Sequence, residues 1–162
     1  MSILNNKRRR ASRQATDALR RAARLIRSSQ KIAAVTHIAP DPDAIGSLLG
    51  FGNAMVSMGK SVTFLCDDVV PRGLRFVPGA ELVVESLAKD QVPDLVVTLD
   101  GSDPARLGKA GAHLLSLDVP SINFDHHTTN LQFGTLNVVD AGWAATAEGL
   151  VSLLDALRCP IS

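Results

Sequence analysis

The chain has 162 residues, of which 46% are hydrophobic and 20% are charged, and its formal net charge is +1. This length and composition are typical of one globular domain with a buried core. Aromatic residues make up only 4% of the chain, which argues against nucleic-acid recognition by stacking on aromatic side chains. Cys66 and Cys159 lack metal-binding spacing, and no apolar segment reaches membrane-spanning length. We therefore expect a cytoplasmic protein with neither disulfides nor membrane contact.

The charges are distributed unevenly along the chain. Residues 1–30 contain nine of the seventeen Lys and Arg residues and one acid, Asp17, which leaves eight basic and fifteen acidic residues in 31–162, a net charge of −7. We expect a basic disordered tail over residues 1–10 and an amphipathic helix over 11–29 that docks on a domain spanning 31–162. The arginines of this helix are candidates for contacts with nucleic-acid phosphates or anionic lipid, although such charges usually form a solvated helix face.

The first predicted strand is the continuously apolar run Ile32–Val35, which is typical of a buried strand in a parallel sheet. It ends at His37. A loop with two prolines follows and contains Asp41 and Asp43, and we expect the next helix to begin near Asp43 with that residue as its N-cap. The glycines inside this helix weaken it relative to alanine, so we expect them to permit close approach to the sheet or to a ligand.

The rest of the chain alternates predicted strands with helices. This alternation predicts an α/β fold, a doubly wound, mainly parallel, five-stranded sheet flanked by helices and Rossmann-like in arrangement. The further strands are expected at 62–66, 95–99, 122–124 and 135–139, and the further helices at 105–115 and 143–157.

Three of the predicted strands end in side chains that bind metal ions. His37, with Asp41 and Asp43, follows the first strand, Asp100 follows the third, and the run 125–127 (Asp-His-His) follows the fourth. The carboxyl ends of parallel strands share one edge of a sheet, so these groups can meet in space. If they did not, Asp43 would simply cap a helix and His37 would be an ordinary surface histidine.

A cluster of aspartates at one edge would repel itself without cations. An acidic domain that acts on an anionic substrate likewise needs metal ions to neutralise its own carboxylates. Carboxylates with a few imidazoles and no thiolate suit manganese or magnesium better than structural zinc. Two such ions could activate a water and stabilise the leaving oxygen of a phosphoryl displacement.

The segments HIAPDPDAIGS, VVTLD and NFDHH resemble the first three motifs of the DHH phosphoesterase family in sequence, order and strand placement. The resemblance covers residues 31–157 and implies a manganese-dependent phosphoesterase, with Mg²⁺ as the alternative ion. It implies that His37, Asp41 and Asp100 hold one ion. The second ion would be held by Asp43, Asp100 and His126, so that Asp100 would bridge the two ions.

The same resemblance suggests roles for the remaining motif residues. Asp125 would orient the two histidines without binding an ion itself. His127 would lie near the site rather than act as a primary ligand, although the sequence does not decide which of His126 and His127 is the primary ligand. The implied catalytic residues are Asp100, Asp125, His126 and His127, and the candidate substrate-binding residues are Ser47, His127 and Arg72.

Members of the family usually continue into a fourth motif and a second, DHHA1-type domain with a glycine-rich, substrate-holding segment. Neither is present here, so we expect a truncated or degenerate chain, with exposed apolar surface that favours homo-oligomers. The expected substrates are small nucleotide phosphates or short RNA or DNA, as in the branch that degrades very short RNAs and dephosphorylates 3′-phosphoadenosine 5′-phosphate or cleaves cyclic-dinucleotide products. The alternatives are a RecJ-like single-strand exonuclease, a pyrophosphatase, and a non-catalytic nucleotide- or metal-binding module.

Overall fold

A computed structural model describes residues 3–160 apart from Lys89, with side chains from Ala15 onward. The helices are α1 (Ile3–Ser28), α2 (Pro42–Ser57), α3 (Gly108–Leu115) and α4 (Thr146–Leu157), and three short 3-10 helices span Arg72–Leu74, Ala80–Leu82 and Pro104–Leu107. The strands are β1 (Lys31–Thr36), β2 (Ser61–Leu65), β3 (Val83–Val84), β4 (Leu95–Leu99), β5 (Ser121–Asp125) and β6 (Leu136–Val139).

All the strand pairings are parallel, and the six strands form one sheet in the order β3-β2-β1-β4-β5-β6. The predicted doubly wound α/β fold is thereby confirmed. The predicted number of strands was five, and the additional strand is β3, whose two residues pair with Phe64 and Leu65 at the edge of the sheet. Two residues are too few to show a periodic pattern, so the sequence did not indicate this strand.

Helices cover both faces of the sheet. Residues of α1, α2 and α4 pack on one face in a single core cluster with Ile32, Val97 and Phe124. On the other face, Ala110 and Leu114 of α3 pack against Ala33, Val35 and Val96. Every residue of β4 and β5 is buried. This burial explains why β4 is almost continuously apolar, whereas β5 alternates apolar residues with polar ones that include the buried Asn123 and Asp125.

The basic amino-terminal segment is helical over the part that the structure describes. α1 begins at Ile3 rather than near Ala11, so residues 3–10, which we expected to be a disordered tail, continue the helix backbone; Met1 and Ser2 lie outside the described residues. Ala22 and Ile26 are buried, and Arg27 donates a 2.6 Å hydrogen bond to the carbonyl of Ala156 near the end of α4. These contacts pack the second half of α1 against the rest of the structure.

The glycines of α2 differ in what surrounds them. A Cβ at Gly52 would lie 2.0 Å from the ring of Phe64 in β2, so this glycine permits close packing of helix on sheet. A Cβ at Gly46 or Gly50 would meet nothing within 4 Å. Close approach to the sheet is therefore found at Gly52 and not at Gly46 or Gly50.

Both cysteines are buried free thiols, as their spacing suggested. Burial raises the pKa of the Cys66 thiol, which keeps it protonated and unreactive. Among the helices in the described part of the chain, none combines the length and apolar character that crossing a membrane requires.

Candidate metal centre

The centre lies where the strand order reverses, between β1 and β4. In doubly wound sheets this point opens a crevice at the carboxyl ends of the strands. His37 leaves β1 and Asp100 leaves β4, and His37 Nε2 lies 3.6 Å from Asp100 Oδ2. Both residues are buried, with 3% and 2% of their surface exposed. A titratable pair this deep in the crevice marks it as a candidate functional site.

The backbone of Asp100 adopts an unusual conformation at this point. Its φ angle of 60° lies in the left-handed region, which non-glycine residues visit only at a cost in energy. The backbone N–H still donates to Phe124 O at 3.0 Å, so Asp100 turns away from β4 without losing its link to β5. The hydroxyl of Thr146 at the start of α4 donates a 2.7 Å hydrogen bond to Asp100 Oδ1.

The charge of Asp100 is stabilised by its neighbours. Burial by itself raises the pKa of this carboxyl, but the contact with His37 and the hydrogen bond from Thr146 outweigh it, so the pKa lies below its ordinary value. The same contact with Asp100 raises the pKa of His37, against the opposite effect of burial. Asp100 is therefore a buried carboxylate in its charged form.

The ring of His37 is oriented by its own loop. Nδ1 lies 2.7 Å from the carbonyl oxygen of Ile38, which accepts only if Nδ1 carries the proton. In the neutral imidazole, Nε2 then has a free lone pair directed at Asp100. A histidine held in this way through its second nitrogen is the usual arrangement of a metal ligand.

Asp41 caps α2 and also belongs to the centre. Its Oδ1 accepts a 2.9 Å hydrogen bond from the N–H of Ala44, so Asp41, and not Asp43 as we predicted, is the N-cap. Both aspartates flank Pro42, and the proline occupies the first helical position, which places the cap two residues earlier than expected. Ligand atoms of His37, Asp41 and Asp100 lie within 4.8 Å of one another. The structure thus brings together the residues of the first predicted ligand set.

His126 faces the same carboxylates from the end of β5. Its Nε2 lies 3.7 Å from Asp43 Oδ2 and 3.8 Å from Asp100 Oδ1, so the members of the second predicted set are neighbours. Its Nδ1 lies 3.3 Å from the carbonyl oxygen of Trp143, the partner that leaves Nε2 free to bind an ion. The indole of Trp143 stacks on Phe124, with ring centroids 5.4 Å apart, which holds this carbonyl in place.

His127 has a different partner. Its Nδ1 contacts Asp125 Oδ1 at 2.7 Å, while the other oxygen of Asp125 accepts a 2.6 Å hydrogen bond from Asn130. We expected Asp125 to orient both histidines, but it contacts His127 alone and the carbonyl of Trp143 contacts His126. Ligand atoms of Asp100, His126 and His127 also lie within 4.8 Å of one another. We expected His127 only to lie near the site, but its ring belongs to one of the two groups of candidate ligands.

Asp43 connects the centre to α4. Its Oδ2 accepts a 2.7 Å hydrogen bond from the N–H of Thr146, and its Oδ1 accepts from the N–H of Ala147 at 3.1 Å. The hydroxyl of Ser47 donates to the same Oδ1 at 3.2 Å. Asp43 therefore satisfies the first N–H groups of α4, a helix whose own N-cap residue, Ala145, makes no side-chain hydrogen bond.

The two further candidates for substrate binding, Ser47 and Arg72, differ in their positions relative to the centre. Ser47 is fully buried behind Asp43, where its hydroxyl orients that carboxylate. Arg72 is exposed on the 3-10 helix Arg72–Leu74. Within the described side chains, it makes no hydrogen bond or ion pair with a residue of the centre. Neither residue has a position that favours direct contact with a substrate at the centre.

Three residues at the centre were not singled out as site residues from the sequence. Thr146 bonds Asp100, Asn130 bonds Asp125, and the carbonyl of Trp143 faces His126. Thr146 is the first residue of α4 and Asn130 lies in the loop after β5, so no local sequence pattern distinguishes either residue as part of a site. The role of Thr146 depends on a residue 46 positions away in the chain, and Asn130 is also held by a contact with the carbonyl of Gly101, 29 positions away.

The donor set suits a hard divalent cation. Three carboxylates and three imidazoles face one crevice, and Asp100 belongs to both groups of ligand atoms. Oxygen-rich sites with imidazoles and no thiolate match the preference of manganese and magnesium.

Comparison with known proteins agrees with this geometry. The chain is 40% identical over 126 residues to the bifunctional oligoribonuclease and PAP phosphatase NrnA of Thermus thermophilus, an alignment that covers 75% of this chain and 36% of that protein. An exopolyphosphatase-related protein of Bacteroides fragilis has the same fold, with a TM-score of 0.80 at 22% identity over 87% of this chain and 44% of its own. The chain thus spans about a third of the length of its curated relative. The profile of the DHH family, N-terminal domain, matches residues 31–159, and the chain belongs to this family.

Proposed function

We propose that this domain binds divalent cations and hydrolyses phosphate esters of small nucleotides or short oligonucleotides. The observation that carries the proposal is the position of Asp100, a buried carboxylate that lies within reach of both groups of candidate ligands. One carboxylate shared between two ion sites is the arrangement expected of a two-metal phosphoesterase.

The residues divide into two ion sites in this proposal. His37, Asp41 and Asp100 would hold one ion, and Asp43, Asp100 and His126 would hold the other. The ions, manganese in the first instance, would act as Lewis acids and supply a water nucleophile at neutral pH. Thr146 holds the shared carboxylate in place, and Asp125 and Asn130 hold His127 at the rim, where its ring can contact a bound phosphate or exchange a proton with it.

The relative from Thermus thermophilus supports the choice of substrate, because its name specifies an oligoribonuclease and PAP phosphatase. It also leaves a second function open, since this chain spans only 36% of that protein. A domain that binds nucleotides and metal without hydrolysing them would have the same centre. A single-strand exonuclease and a pyrophosphatase remain the other enzymatic alternatives.

The test is an assay of the purified chain with Mn²⁺ or Mg²⁺ against a panel of substrates. The panel contains a short RNA, 3′-phosphoadenosine 5′-phosphate, the linear diadenylate pApA, single-stranded DNA, pyrophosphate and a generic phosphodiester. We expect hydrolysis of the small nucleotide substrates that requires the ion and that Asp100→Ala abolishes.

A matched control is Asp118→Ala, which removes an exposed carboxylate outside the centre. It should leave hydrolysis unchanged. Tight binding of the cation without turnover of any substrate would refute the hydrolase and favour the binding module, and hydrolysis that survives Asp100→Ala would refute the assignment of the centre.

A further inference from the structure

Arg106 lies beside the centre on an element that holds it in place. It belongs to the 3-10 helix Pro104–Leu107, which follows β4. Asp103 caps this 3-10 helix, because its Oδ1 accepts a 2.8 Å hydrogen bond from the N–H of Ala105. The carbonyl of Arg106 accepts a 2.8 Å hydrogen bond from the N–H of Ile38 in the loop after β1. Leu107 is fully buried next to it. The backbone of Arg106 is therefore attached to both loops that supply the ligands.

The guanidinium of Arg106 reaches His37 but gains no hydrogen bond from it. Nη2 lies 3.4 Å from His37 Nδ1, and this nitrogen is the one that carries a proton for the carbonyl of Ile38. Two donors face each other, so the contact cannot be a hydrogen bond. The N–H groups of Arg106 thus remain available to another acceptor.

Arg106 also differs in its surroundings from the other cationic side chains that the structure describes. Arg27, Lys60 and Arg75 donate to backbone carbonyls away from the centre. Within the described side chains, Arg106 is the one Lys or Arg whose side chain contacts a candidate metal ligand, and no carboxylate lies within 4.0 Å of its charge. An exposed guanidinium without a carboxylate partner is positioned to bind an anion from solution.

We infer that Arg106 binds a phosphate group of the substrate at the edge of the metal centre. The inference rests on the proposed function, because it names the group that holds the phosphate there. Guanidinium offers two parallel N–H donors that match two oxygens of a phosphate, a geometry that an ammonium cannot reproduce. Arg106 would thus act in substrate positioning, the role that the sequence suggested for Arg72.

The test measures binding, so it does not depend on turnover. Adenosine 5′-monophosphate and adenosine are titrated into the chain by isothermal titration calorimetry in the presence of Mg²⁺. We expect Arg106→Gln to weaken binding of the monophosphate roughly tenfold to a hundredfold, the usual effect of losing charge-assisted hydrogen bonds. Binding of adenosine, which has no phosphate, should not change. Arg106→Lys should recover only part of the loss.

Lys109→Gln is the matched control, since it removes one exposed positive charge three residues away. It should change affinity for the monophosphate less than twofold, and both variants should bind the cation as the unaltered chain does. Unchanged affinity in Arg106→Gln, an equal loss for adenosine, or no binding of the monophosphate to the unaltered chain would each overturn the inference.

The two proposals fail in different ways. Binding of the monophosphate that depends on Arg106, in a chain that hydrolyses nothing, upholds this inference and refutes the hydrolase. Hydrolysis of nucleotides that does not depend on Arg106, with unchanged affinity for the monophosphate, refutes this inference alone.

Discussion

The carboxylate of Asp43 accepts a 2.7 Å hydrogen bond from the backbone N–H of Thr146, 103 residues further along the chain. A second bond from Ala147 makes Asp43 the cap of α4, although Asp43 itself lies in the first turn of α2. Asp67 does the same for α3, where it accepts from the N–H groups of Lys109 and Ala110. Carboxylates at the carboxyl edge of the sheet therefore stabilise helices that begin there, through hydrogen bonds and the helix dipole.

Removal of the Asp43 carboxylate should separate its two roles. We expect Asp43→Ala to lower the free energy of unfolding by about 0.5–2 kcal/mol, the usual cost of losing a helix cap. Asp43→Asn keeps one acceptor oxygen, so its loss should be smaller, while both variants should bind the divalent cation more weakly. Urea denaturation and calorimetric titration of Mn²⁺ measure the two effects. A stability of Asp43→Ala equal to that of the unaltered chain would show that α4 does not depend on this cap.

The hydroxyl of Thr146 should be important for stability in spite of its small size. Thr146→Val keeps the shape but leaves the buried Asp100 without this donor, and we expect a loss of about 1–3 kcal/mol. Urea denaturation of the metal-free chain measures it. Thr63→Val is the control, because the hydroxyl of Thr63 makes only a 3.4 Å exposed contact with Gln91. Similar losses in the two variants would contradict a special role for the Thr146 hydroxyl.

Divalent cations should stabilise the folded chain, because the unfolded chain has no assembled centre. At about 100 times the dissociation constant, a ligand of the folded state adds about 2.7 kcal/mol. For a chain of this size that corresponds to a rise in Tm of roughly 5–10 °C. Differential scanning calorimetry with Mn²⁺ and with EDTA measures the shift.

Asp100→Asn should remove most of that rise, since Asp100 belongs to both groups of candidate ligands. Asp118→Asn should retain it, because Asp118 is an exposed carboxylate away from the centre. A rise of the same size in both variants would place the bound cation elsewhere on the protein.

Two glycines of α2 should respond in opposite directions to the same substitution. Gly50→Ala adds a methyl group in open space, and we expect it to stabilise the helix by up to about 1 kcal/mol. Gly52→Ala drives a methyl group into the ring of Phe64 and should destabilise the chain by about 1–3 kcal/mol. Thermal denaturation distinguishes the two, and stabilisation by both substitutions would mean that the helix moves away from β2 without cost.

The sequence was enough to predict those features of the site that depend on which residues end each parallel strand. Apolar runs that end in His37, Asp100 and Asp125 were enough to predict that these groups share an edge, because parallel strands all end on the same side. The cap of α2 could not be chosen in advance, since Asp41 and Asp43 flank the same proline and either could serve. The partners of His126 and His127 were equally open, because adjacent histidines differ only in what the fold places beside them.

The sequence by itself determined the α/β class, the family and the residue types at the edge of the sheet, because these follow from local periodicity and short motifs. Only the tertiary structure decided that Asp43 caps α4 and that Arg106 rather than Arg72 lies beside His37. The physical reason is the range of the interactions. Periodicity and motifs are read within a few residues, whereas these hydrogen bonds and contacts depend on which distant segments the folded sheet and its helices bring within about 3 Å.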